Sequence, residues 1–270
     1  MTSAHYKPED YQCEDDRRLI HQIINLDVTE KLMNWIREQK IDEIYNSVYR
    51  SSFLALNDRL VPRFMEAVRN ACEMFGVDVV PPVYLVRDFD DTVSICGITD
   101  PFLVISSRYL EVLQQETPEL MFGVIAGQIA GIRVGHHRGL ALTWLLDSLM
   151  NLLPIPQPAV MALDGLLNDW KRCRMYTCDR AMYLAMGDYP LALRAILSAV
   201  ASTKLLDQMH LGEPTDGYKP QVEAFLKNSA LDEAVNVLNS VLSDTGWLPL
   251  RYHKLAEFAG KAEQEDGHGS

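Results

Sequence analysis

The stretch Pro118–His137 reads PELMFGVIAGQIAGIRVGHH. Thr117 stands before Pro118, the order of an N-cap followed by a first-turn proline, and predicts a helix over 117–135. Within it Gly123, Gly127, Gly131 and Gly135 recur every fourth residue, flanked by Ala126 and Ala130. At 3.6 residues per turn this spacing lays an almost side-chain-free stripe down one face. Glycine in a helix interior costs about 1 kcal/mol relative to alanine. A bare face kept at that cost implies a close neighbour or an open space beside it.

The thirty residues upstream have a different period. VYLVRD (Val83–Asp88), TVSIC (Thr92–Cys96) and FLVIS (Phe102–Ser106) are short β-branched runs, separated by turn signals at Asp88–Asp91 and Gly97–Pro101. They predict a three-stranded sheet. Before the sheet, Asp15 to about Tyr49 carries Leu19, Ile23, Leu32, Trp35 and Ile36 at helical spacing, with Asp27 as a cap for a second segment and Glu30 three residues on. A further helix is predicted over Asp58–Phe75 and ended by Gly76. After Ser107 the pattern is helical throughout, with segments near 108–114, 117–135, 138–152, 158–186, 190–208, 219–228, 232–242 and 252–262. The tail, 263–270, is polar and expected to be disordered. One α+β domain over 1–262 is the economical reading: helices at 15–75, a sheet at 83–106, the glycine-striped helix, and helices over 138–262.

Composition narrows the function classes. With 37 acidic against 25 basic residues, the 270-residue chain carries a formal charge of −12, which opposes an electrostatic grip on nucleic acid or an anionic membrane. Its five cysteines are scattered and form no CxxC pair, so reduced thiols and a cytoplasmic location are expected. The most apolar run, LALTWLLDSLMNLL (Leu140–Leu153), contains Asp147 and is too short for a confident span, so membrane association is not expected.

Three segments in order resemble the HtpX/CAAX-protease type of zinc metallopeptidase, a gluzincin family. In the sheet PPVYLVRDFDDTVSICGITDPFLVISS, Gly97, Asp100 and Pro101 match the family's strand–turn–strand, although Thr92-Val93-Ser94 stands where the family has Asn-Ala-Phe. In the striped helix, Ile132, Gly135 and His136 fix the frame. The two zinc histidines of the family's His-Glu-x-x-His motif then fall on Gly127 and Gly131, and the catalytic glutamate on Gln128. In WKRCRMYTCDRAMYLAM (Trp170–Met186), Cys178, Asp179, Arg180 and Ala181 match, while the ligating glutamate falls on Met175. The resemblance implies a predominantly helical metallopeptidase-like fold with the sheet beside the former zinc-site helix.

It also implies a loss of activity. Such an enzyme needs two imidazoles one turn apart, a carboxylate from a later helix, and a base for the metal-bound water. Gly127 and Gly131 offer no ligand, Met175 is a poor one for zinc, and Gln128 takes no proton near neutral pH. No metal and no cofactor are expected. Gly127 and Gly131 are expected to line the vacated groove, whereas Gly123 and Gly135 allow close packing. Returning histidines to 127 and 131 and glutamate to Met175 is expected to recreate a zinc site.

His136 and His137 point about 100° apart and are read as a helix C-terminus that favours positive charge. Asp179 and Arg180 are read as a structural ion pair. Cys178 is read as a buried thiol, with a nucleophile beside His136 as the alternative. The expected function is a catalytically inactive pseudopeptidase that binds a peptide or protein: a precursor peptide or an active peptidase relative, but no nucleic acid. Ser94, Cys96, Gln128, His136, Asp179 and Arg180 are the candidate cleft residues. Two alternatives stand beside it, an enzyme with new metal-independent chemistry in the cleft and a purely structural subunit.

Overall fold

A computed structural model describes residues 5–87, 93–149, 152–153, 155–198, 219–228 and 248–266. It is predominantly helical, with one small mixed sheet. The long N-terminal helical run is divided into α2 (Glu14–Ile24), α3 (Asp27–Glu38) and α4 (Ile41–Ser52), after a single turn α1 (Pro8–Tyr11). Leu26, not Asp27, is the N-cap of α3, so Asp27 instead places its charge in the first turn, where the helix dipole favours an anion. Between α4 and α5 (Pro62–Phe75) lies a two-residue strand, β1 (Leu54–Ala55), too short to leave a period in the sequence. Helix α5 begins at Pro62, later than the predicted Asp58, because a first-turn proline sets its start.

The strands β2 (Val83–Val86), β3 (Val93–Cys96) and β4 (Phe102–Ser106) fall where the β-branched runs predicted them, but with β1 the sheet has four strands rather than three. Their order is β1-β2-β4-β3: β2 and β4 run parallel, and the outer pairs are antiparallel. Gly97 turns β3 into β4 with φ of +98°, and a Cβ there would overlap the Asp100 carbonyl, so only glycine fits. Alternation along β3 sends Val93 and Ile95 inward against the helices and leaves Ser94 exposed.

The striped helix is α7 (Pro118–Arg133), with Thr117 Oγ1 accepting from the Leu120 N–H at 3.3 Å as its cap. It follows α6 (Ser107–Gln115) and leads into α8 (His136–Leu149) through Gly135, whose φ is +84°. His136 and His137 therefore open a helix instead of closing one. Helix α9 (Gln157–Met186) runs unbroken for 30 residues, about 45 Å at 1.5 Å per residue, and α10 (Tyr189–Leu197) follows. Helices Lys219–Asn228 and Leu248–Asp266 complete the described chain, the last running four residues into the tail expected to be disordered. The segments predicted at 199–208 and 232–242 lie outside the described residues, as does the turn Asp88–Asp91.

Two hydrophobic cores result. One joins α5, α7, the inner sheet face and the C-terminal half of α9 through Phe64, Phe75, Ile125, Ile129 and Ala181. The other joins α2, α3, α8 and the N-terminal half of α9 through Ile23, Leu32, Leu145, Leu163 and Trp170. Helix α9 passes from one core into the other, and a buried polar network lies along it.

Candidate functional site

Helix α7 is pressed against α9 and β3 along the glycine stripe. A Cβ at Gly127 would stand 2.8 Å from the Cys178 carbonyl oxygen, and one at Gly131 would stand 2.8 Å from both His136 Nδ1 and Ile95 Cδ1. A Cβ at Gly123 would overlap the Met186 side chain. The groove expected at Gly127 and Gly131 is thus filled: both are buried, and the space that larger side chains would use holds His136, Cys178 and Ile95. Gly135 belongs to the turn after the helix and has nothing within 4 Å.

The residue that organises this seam was not singled out in the sequence. Asp16, on α2, is fully buried and accepts four hydrogen bonds. Trp170 Nε1–H donates to Oδ1 at 2.8 Å; the Thr177 hydroxyl (2.7 Å), His136 Nε2–H (2.9 Å) and Gln12 Nε2 (3.3 Å) donate to Oδ2. The Thr177 oxygen in turn accepts from the Cys13 N–H at 3.0 Å. His136 is also fully buried, and its Nδ1 lies 3.9 Å from Cys178 Sγ. Asp16, His136 and Cys178 therefore stand in a line, the composition of a carboxylate–imidazole–thiol relay. All three are sealed from solvent, with Cys178 only 3% exposed, so a thiolate there has no approach for a substrate. The arrangement binds α2, α7, α8 and α9 together.

Its charge state follows from the geometry. Burial works against a charge on His136, but the Asp16 carboxylate and its hydrogen bond outweigh it, with help from Cys178, and raise the imidazole to about 9. Burial likewise opposes the Asp16 charge; the His136 charge and the bonds from His136, Thr177 and Gln12 overcome it and hold the carboxyl below its ordinary value of 3.8. His137 behaves oppositely: burial, then the charges of Arg138 and His136, push it down to about 4. Its Nδ1 is buried without a hydrogen-bond partner among the described residues.

The two histidines set a pH optimum. The raised His136 contributes stability that is complete below its ordinary 6.5 and lost as pH rises toward 9. His137 stays neutral in the fold while the unfolded chain takes a proton, so stability falls as pH drops from 6.5 toward 4. Urea titrations between pH 4 and 9 should show a maximum near 6.5, with each limb falling by up to about 1.4 kcal/mol per pH unit. His137→Asn should flatten the acid limb and leave the alkaline one. A flat profile would contradict the assignment.

The other predicted residues separate. Asp179 does not pair with Arg180. It takes a bidentate pair from Arg251 in the C-terminal helix, Nε to Oδ2 at 2.9 Å and Nη2 to Oδ1 at 2.6 Å, both side chains buried. Arg180 instead lies over the Phe258 ring, 4.9 Å from its centroid. One helical step apart, the two residues are turned toward different parts of the same C-terminal helix. Gln128 and Met175 are half-buried on α7 and α9. Cys96 is half-buried on β3, and burial pushes its thiol up against the opposing influence of Tyr45 and Tyr49 on α4. Ser94 is exposed on the same strand. The expected cleft is therefore not one place: His136 belongs to the sealed seam, Asp179 and Arg180 to the docking of the C-terminal helix, and Ser94 and Cys96 to the outer sheet face. Among the described residues, no group of three or more His, Cys, Asp or Glu side chains is placed to hold a metal.

The Asp16 network had one readable signal. Leu19, Ile20 and Ile23 form the buried stripe of α2, and one turn back along it falls Asp16, not the exposed Asp15. A carboxylate on an apolar stripe calls for buried partners.

No family model, no curated protein and no solved structure matches the chain. No helix among the described residues is long and apolar enough to cross a membrane.

Proposed function

We propose that the chain is a catalytically inactive binding protein of metallopeptidase-like organisation, a pseudopeptidase that receives an extended peptide or protein segment along β3. The observation that carries this reading is the closure at Gly127 and Gly131: the positions assigned to ligands by resemblance lie in helix-to-helix contact with Cys178 and His136. A hydrolytic centre needs an opening there for water and a scissile bond. Beside it lies β3, a sheet edge with no strand on its outer side among the described residues, on which Ser94 is exposed while Val93 and Ile95 are buried. Strand addition would recognise the partner by main-chain hydrogen bonds, with alternate side chains supplying selectivity. The partner class is a precursor peptide or a segment of an active peptidase, met in the cytoplasm.

Panning a random peptide library on the intact protein, followed by hydrogen exchange, tests this. Enriched peptides should slow exchange of the Val93–Cys96 amides at least tenfold and should not be cleaved. Peptides that bind without touching these amides, or a library that yields no binder, would sink the strand-addition reading. Cleavage of the bound peptide would sink the claim of inactivity.

A further inference from the structure

Beside the outer face of the sheet lies a second feature, on the α4 side. Tyr45, on α4, meets the Trp144 ring of α8 edge-on at 4.6 Å, while Tyr49 tilts onto Phe102 at 4.8 Å and Phe53 at 5.2 Å. The two tyrosine hydroxyls lie 3.5 Å apart, Tyr45 donating to Tyr49. The hydroxyls are thus engaged with each other, and the two rings line a cavity between α3, α4 and α8. The cavity measures about 590 Å³, within the roughly 300–1,000 Å³ typical of small-molecule sites. Eleven described side chains line it, Trp35, Ile44, Val48 and Leu149 among them, and none is charged. Helix α4 buries no residue fully, and Ile44 and Val48, one turn apart on it, are 61% and 50% exposed at the cavity wall. Leu152, also in the lining, is 68% exposed.

We infer that this cavity is a binding site for a neutral, apolar small molecule, of the class of a hydrocarbon chain or fused-ring lipid. An anionic amphiphile would find no cation in the described lining and a chain of net charge −12 around it. The same charge opposes a second copy of this chain as the occupant. Apart from the Gln39 amide and the paired tyrosine hydroxyls, the described lining is ring faces and aliphatic side chains, which select shape and apolarity over hydrogen-bonding pattern.

Two of the four tryptophans, Trp35 and Trp144, line the cavity and report on it directly. Titrating the full chain with N-phenyl-1-naphthylamine, a neutral fluorescent probe, should give saturable one-to-one binding with energy transfer from tryptophan. Ile44→Lys with Val48→Lys should weaken it at least tenfold while leaving the thermal transition in place, since both positions are exposed. Leu152→Lys, from a separate segment, should weaken it as well. Dodecanoate should compete poorly against dodecanol. No saturable binding, binding unaltered by both sets of variants, or tighter binding of dodecanoate than of dodecanol would overturn the proposal. So would a wild-type dimer in sedimentation that excludes the probe, because a second copy would then be the occupant.

Discussion

Asp16→Ala is expected to remove about 3–5 kcal/mol of folding stability, the usual effect of deleting one partner of a buried ion pair. The carboxylate is the acceptor for His136, Trp170, Thr177 and Gln12, and alanine leaves these donors facing an apolar gap. His136 then has no counter-charge, so it must shed its proton to remain buried. Asp16→Asn separates the two effects: the amide oxygen still accepts from one or two donors, so the loss should be smaller. Urea denaturation at pH 6.5 measures the stability, and ¹H–¹⁵N titration of the imidazole should show His136 falling from about 9 to below its ordinary 6.5 in either variant. A loss under about 1 kcal/mol for Asp16→Ala, with the titration unmoved, would mean that the pair is not formed in solution.

The double change Gly127→His and Gly131→His is expected to unfold the protein or leave it poorly packed, not to rebuild a zinc centre. The sequence alone leads to the opposite expectation, because it shows the missing ligands but not what has moved into their place. Overpacking a close-packed contact typically costs about 1–3 kcal/mol or more, and an imidazole at each of two buried positions is a large addition. The two positions should differ. At Gly127 the obstacle is a backbone carbonyl, which retreats only if α7 and α9 separate. At Gly131 part of it is the far end of Ile95, which can rotate. Gly131→Ala should therefore be tolerated better than Gly127→Ala, both gaining about 1 kcal/mol of helix propensity against the clash. Thermal melts of the single and double variants decide this. A double variant that melts like wild type and holds one zinc per chain, with Met175→Glu added, would show that the site is open after all.

Local chemistry was legible where local rules decide. Thr117 and Pro118 fixed the start of α7, Gly97 fixed the turn between β3 and β4, and the β-branched runs marked three strands. β1 was missed because two residues carry no period. The glycine stripe was legible as a bare face, but whether space or another helix lay against it depends on α9, about fifty residues later. Partners at long range were the hardest to read. The donors to Asp16 lie up to 161 residues away, and Arg251, which Asp179 requires, is separated from it by 72. No spacing rule connects them. Cys178, His136 and Asp179 carry chemistry as side chains, and the fold uses them to hold helices together.

The length of α9 has a mechanical consequence. Its first half is a wall of one hydrophobic core and its second half a wall of the other, with Trp170 in the first and Ala181 in the second. Such a shaft transmits torsion: a break between Trp170 and Thr177, where α9 carries the Asp16 network, is expected to disturb both cores at once. Among the described residues α9 therefore ties the two cores into one unit, and a proteolytic cut within it is expected to cost both.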